Sequence, residues 1–160
     1  MELSEALDRA EKNENVQRLK DFFLGSGFAS INTDKQKDEG IKEWTLLYYN
    51  PAKKSVVDCF VNEKFVTVGE ETPAINEVQE LDVSKVKTTL QAALKTTSNS
   101  LKKKPLNILI SLHMKDINNK HCAVWTIGFV TADMSVTSYD IDASNGKIAR
   151  EETTRLLRRL

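Results

Sequence analysis

Four side chains in this sequence are soft enough to ligate a transition metal or to form a nucleophile and base pair: Cys59, His113, His121 and Cys122. A tetrahedral zinc site needs four ligands converging at about 2.0–2.3 Å. His121 and Cys122 are adjacent, so on a strand they point to opposite faces. His113 and Cys122 are the two that could share a face. A cysteine nucleophile needs a base and a group that orients it, and no such acid stands at a matching position. Cys59 alternates with Val57 and Val61 and reads as a small buried hydrophobe. Asp140 and Asp142 flank Ile141 on one strand face, a spacing that can serve acid–base or metal chemistry; ahead of a turn, it reads as a solvated face. No glycine loop of phosphate-cradling type is present. The expectation is therefore no enzyme, no cofactor and no metal.

Two basic clusters remain, Lys102-Lys103-Lys104 and Arg150 with Arg155, Arg158 and Arg159. Cations of this number can contact phosphates with salt-dependent affinity. Base stacking also needs exposed aromatic rings. Trp125 and Phe129 belong to an apolar stripe, with Trp44 and Tyr48 as counterparts, which leaves Tyr49 as the aromatic expected at the surface. Tyr49 and the seven cations form the expected surface for a partner protein or a nucleic acid. A C-terminal helix would align Leu156, Leu157 and Leu160 as a further apolar stripe.

The formal net charge is zero, but residues 1–80 carry a net −6 and residues 81–160 a net +6. Opposite charge of this kind favours attraction between the halves, self-association across a dimer, or an acidic partner. No apolar run approaches the roughly 20 residues that span a bilayer, and Met1 to Glu14 has no apolar segment of secretory type. The expected setting is the cytoplasm, without membrane attachment, where two cysteines stay free thiols.

Apolar periodicity indicates which elements position these groups. Leu3, Leu7 and Ala10 make one helical stripe, with Ser4 as a plausible cap; Val16, Leu19, Phe22 and Phe23 resume it after Asn13-Glu14-Asn15. Gly25-Ser26-Gly27 would stop that helix. Strands follow at Phe28–Thr33, Ile41–Tyr49, Ser55–Val61 and Phe65–Val68, with residues 34–40 a polar loop and Glu70–Glu80 a linker. The second half repeats the order. Asp82 or Ser84 caps a helix carrying Val83, Val86, Leu90, Ala93 and Leu94. Strands then run over Leu106–Lys115, His121–Thr131, Ser135–Asp142 and Lys147–Ala149. With Asn118-Asn119 as a two-residue loop, Leu112 faces Trp125, Ile110 faces Ile127 and Ile108 faces Phe129. All six apolar side chains then share one face, and a slip of one residue would scatter them. Trp44–Glu71 and Trp125–Glu152 align without a gap at an offset of 81 residues, with four of 28 positions identical.

The run Val124-Trp125-Thr126-Ile127-Gly128-Phe129, followed by Tyr139-Asp140-Ile141-Asp142-Ala143-Ser144-Asn145-Gly146-Lys147-Ile148, resembles the PepSY domain over residues 82–149. That family joins a helix to an aromatic-bearing strand and closes with a hairpin of the type Tyr-x-Ile-Asp-Ala-x-x-Gly-Lys-Ile. In the first half the matching hairpin, Asp58 to Phe65, lacks the glycine. The resemblance implies a non-catalytic module that binds or restrains another protein. It supplies no catalytic residue, and its usual exported or membrane-attached setting departs from the one expected here.

The expected fold is α+β, with two tandem α-β-β-β-β repeats over 1–80 and 81–160. Their antiparallel sheets each have one face under helices, and the repeats are related by a pseudo-two-fold and packed as one compact unit. The expected function is a protein-binding or regulatory module. The alternatives are nucleic-acid binding by the basic second half and an enzyme with a pocket between repeats.

Overall fold

The computed structural model describes residues 1–33 and 40–156. Among the described residues, three short α-helices, a 3-10 turn and nine strands make a mixed α and β fold whose paired strands are antiparallel. Contacts divide the described chain into two compact units, 1–29 with 40–81 and 30–33 with 82–156.

In the first unit, α1 (Leu3–Glu11) and α2 (Glu14–Gln17) precede β1 (Phe23–Asn32), β2 (Glu43–Asn50), β3 (Ser55–Asn62), β4 (Val66–Val68) and β5 (Thr72–Pro73). Asn13 separates the helices and caps the second, its side chain accepting from Asn15 N at 3.0 Å. The strands run β4-β3-β2-β1, with β5 also paired to β3. Trp44, Leu46 and Tyr48 line one face of β2, opposite Val61, Cys59 and Val57. Helix α1 covers this face with Leu3, Ala6 and Ala10, all buried.

Gly25 and Gly27 lie inside β1 rather than ending a helix, and Phe23 starts the strand. A Cβ on Gly27 would sit 3.1 Å from Leu3 Cδ1, and one on Gly25 2.3 Å from Val78 Cγ1. Close approach of neighbouring side chains, not a left-handed turn, is what these glycines provide. The register of β1 against β2 shifts between Leu24 and Ser26.

In the second unit, the last residues of β1 lie beside β6 (Asn107–Ile117), where Thr33 N donates to Leu106 O at 3.0 Å. Then follow β7 (Lys120–Val130), β8 (Ser135–Asp142) and β9 (Ile148–Arg155). The β6–β7 register pairs Leu112 with Trp125, Ile110 with Ile127 and Ile108 with Phe129, as expected. Asn118 and Asn119 take φ of 50° and 64°, the left-handed turn conformation that asparagine tolerates.

The predicted helix after Asp82 is interrupted. Asp82 caps only the 3-10 turn Val83–Lys85, and α3 (Leu90–Ser100) starts after its own cap, Thr89. Between them Lys87 N and Thr88 N both donate to Ala143 O at 2.8 Å, which draws the backbone out of helical geometry. Leu90, Ala93 and Thr97 of α3 are buried in this unit.

The C-terminal segment also differs from expectation. β9 continues to Arg155 where a helix or tail was predicted after Ala149. Strand pairing to β8 along its length, down to Ser135 opposite Arg155, outweighs local helical preference. Leu157, Arg158, Arg159, Leu160 and most of the predicted 34–40 loop lie outside the described residues.

Candidate binding surfaces

Each unit turns one strand face toward its helix and one away. In the first unit Phe28 of β1 is in register with Thr45 of β2, and Thr45 with Phe60 of β3. Strand alternation sends all three away from Trp44 and its helix. Two inter-strand spacings separate the phenylalanines, about 10 Å, with the short Thr45 between them. Phe28 is 44% exposed and Phe60 37%. A Cβ on Gly69 would sit 3.1 Å from the Asp58 carbonyl oxygen, so glycine lets this stretch pack closely beside β3. Asp58, two residues from Phe60 on the same face, is exposed. The result is a shallow aromatic saddle with polar margins.

Tyr49 does not join this surface. It is 4% exposed and packs edge-on against Phe23 at 5.4 Å between ring centroids, the residue it faces across β1 and β2. The stretch after β4 covers the same end of the sheet: β5 pairs with Ser55 and Val56, and Val78 reaches Gly25 beside Leu47. The linker read at Glu70–Glu80 is thus part of the packing at the end of the sheet where Tyr49 lies.

The second unit places the basic residues on two faces. Arg150 and Arg155 differ by an odd number of positions on β9, so they project oppositely. Arg150 faces Asp140 across β8 and β9, and its guanidinium binds the Glu152 carboxylate. Arg155 lies with Lys102 and Lys103 around a cleft of about 400 Å³ near the end of α3. Lys102, Lys103 and Lys104 are exposed. Within the cleft Lys103 Nζ lies 2.7 Å from Asp133 Oδ2. Asp133 Oδ1 accepts from Thr131 Oγ1 at 2.5 Å and Ser135 Oγ at 2.7 Å. Bonds from Lys103, Thr131 and Ser135 hold the Asp133 carboxyl well below the usual carboxylate range.

On the face away from α3, Ser111, Thr126, Asp140 and Arg150 form one cross-strand row. Asp140 accepts from Lys115 Nζ at 2.6 Å and from Thr126 Oγ1 at 2.7 Å. Burial alone would raise its pKa, but these bonds and the ammonium outweigh it and hold the group below its ordinary value. His113 lines the same depression of about 290 Å³, and burial pushes its pKa down despite the Asp140 charge. Asp140 is therefore a buried, fixed anion rather than the solvated carboxylate expected. Asp142 has a different task, accepting from Ser144 N at 2.8 Å in the turn before β9. His121 and Asp116 meet at 3.0 Å as an exposed pair.

Cys59 is fully buried, and burial pushes its thiol up to about 11. Among the described residues no group of three or more His, Cys, Asp or Glu is arranged to hold a metal ion. Among the described basic residues of the two clusters, Lys103 and Arg150 each carry a carboxylate partner. Sequence reading missed Phe28 and Phe60. Their signal was present in the strand parity that set Trp44 inward, but the register of β1 is needed to bring Phe28 beside Thr45.

No family model matches this chain, and no curated protein matches it. The fold is similar to that in the crystal structure of a putative lipoprotein from Clostridium difficile 630. The TM-score is 0.65 at 14% identity, covering 96% of this chain and 93% of that one. Among the described residues, no helix is long and apolar enough to cross a membrane.

Proposed function

We propose that this chain is a non-catalytic protein-binding module of PepSY-like type, and that its first unit presents Phe28 and Phe60 to the partner. The observation that carries this reading is the pair of exposed rings in register across β1, β2 and β3. Exposed aromatic rings on a sheet face suit a protein partner, because such side chains bury large apolar area at low entropic cost. In the second unit Lys115 with Asp140, Lys103 with Asp133 and Arg150 with Glu152 are engaged with one another, which favours a role in shape over a role in turnover.

A tandem origin belongs to the same proposal. Each unit runs from helix to antiparallel strands, five in the first and four in the second. In each, an indole N–H donates to the carbonyl two residues before the main helix begins. Trp44 Nε1 binds Met1 O at 3.1 Å ahead of Leu3, and Trp125 Nε1 binds Thr88 O at 3.0 Å ahead of Leu90. One device used twice to seat a helix on its sheet supports descent from a single repeat.

The test is site-specific photocrosslinking. A benzophenone side chain at position 28 and one at position 60 should each capture the same protein from native lysate, while one at exposed Lys20 should not. The variant Phe28→Ser/Phe60→Ser should keep the wild-type melting temperature and bind that protein at least about a hundredfold more weakly, since central aromatic anchors each contribute tenfold or more. Unchanged affinity in the double variant, or capture no different from position 20, would overturn the reading.

A further inference from the structure

Strand β9 is exposed at every residue and ends the strand order of its unit. Its inner edge is fixed by the pairing to β8, in which Leu156 N donates to Met134 O at 2.8 Å in register with Arg155 opposite Ser135. Antiparallel alternation then turns the backbone groups of residues 150, 152 and 154 toward β8, and those of Glu151, Thr153 and Arg155 outward. An exposed edge of this length is a template for another strand unless charge or proline blocks it. Here the charges have both signs, and their spacing selects one pairing.

We propose that β9 is a self-association edge, pairing antiparallel with β9 of a second copy of this chain about a two-fold axis at Thr153. In this register Thr153 faces Thr153 of the second copy, Glu151 faces its Arg155, and Arg155 faces its Glu151. All three are residues whose N–H and C=O already point outward, so they form the hydrogen-bonded pairs of the new ladder. Both ion pairs fall on one face, and the geometry is isologous, so it closes at two copies. Neighbouring registers are poorer. A shift that centres the axis on Glu151 sets Glu151 against itself, and one that centres it on Glu152 sets that carboxylate against itself. Centring on Thr154 leaves no pair of opposite charges, and centring on Arg155 opposes two guanidinium groups. Arg150 and Glu152 are already joined on the other face and leave this pairing free.

The proposal is tested by sedimentation equilibrium on the full chain over a wide concentration range. Wild-type protein should show a monomer–dimer equilibrium. Thr153→Pro removes an outward N–H and the exposed hydroxyl bond to Thr137 Oγ1, leaves the backbone ladder to β8 intact, and should be monomeric with unchanged circular dichroism. Glu151→Arg and Arg155→Glu each turn both attractions into repulsions and should weaken association about tenfold or more. The two single variants mixed in equal amounts should form heterodimers, because each pairing is then restored. The doubly exchanged variant E151R/R155E should dimerise like wild type. Wild-type protein that stays monomeric, a dimer indifferent to Thr153→Pro, or single variants that do not associate on mixing would each overturn the proposal.

Discussion

Replacing Lys115 by Met should invert the pH response of the second unit. Lys115 Nζ lies 2.6 Å from Asp140, whose side chain is 8% exposed while that of Lys115 is 37% exposed. Removing one member of a buried ion pair costs about 3–5 kcal/mol, because the other charge is stranded. The partial exposure of Lys115 discounts this to about 2–3 kcal/mol at neutral pH. In the wild type the Asp140 carboxyl sits below its ordinary value, so its contribution is present above the unfolded pKa of about 3.9 and is lost as pH falls through the lower folded value. In the variant, burial acts against only the Thr126 hydroxyl bond and the weak His113 interaction, and the folded pKa is expected to move above the ordinary value. The relatively favourable state is then the protonated one, present below about pH 4 and lost as pH rises through the raised pKa. Urea unfolding followed by tryptophan fluorescence across the acid to neutral range measures this directly. The difference between wild type and variant should be small at low pH and grow to its full size at neutral pH. Lys115→Met/Asp140→Leu should recover most of the loss, since no charge remains stranded. A deficit below about 1 kcal/mol at neutral pH, or one independent of pH, would refute the argument.

Other expectations follow from packing and burial. Gly25→Ala should destabilise by about 1–3 kcal/mol through the collision with Val78 Cγ1 at 2.3 Å, and Val78→Ala in the same chain should return part of that in thermal melts. Cys122 is partly exposed while Cys59 is buried with its thiol raised to about 11, so a thiol reagent near pH 8 should label one cysteine in the native protein and two after denaturation. Trp125→Phe and Trp44→Phe should each cost about 1–3 kcal/mol in urea unfolding, because each leaves a helix-entry carbonyl without its donor.

Much of the second unit was legible in the sequence. The β6–β7 hairpin is the clearest case, because a two-residue asparagine loop and six apolar side chains demand one register and no other. Cys59 likewise followed from its alternation with Val57 and Val61. Phe22, Phe23 and the two glycines after them misled, since helical spacing continues to Phe23 and glycine is a common helix stop. What decided that segment was the pairing of β1 with β2, a contact distant in sequence. Tyr49 failed for a related reason: alternation gives the face but not what lies on it, and Phe23 packs against that ring. For the basic groups, composition located them but could not pair Lys103 with Asp133 or Arg150 with Glu152, because those partners depend on strand parity and on where the loop after α3 comes to rest.

The carbonyl of Ala143 receives two amides at the entrance to α3, while Trp125 grips the carbonyl of Thr88 beside them. Three hydrogen bonds therefore clamp the entry of that helix, and the amides of Lys87 and Thr88 should be among the slowest of the segment to trade their protons for deuterium.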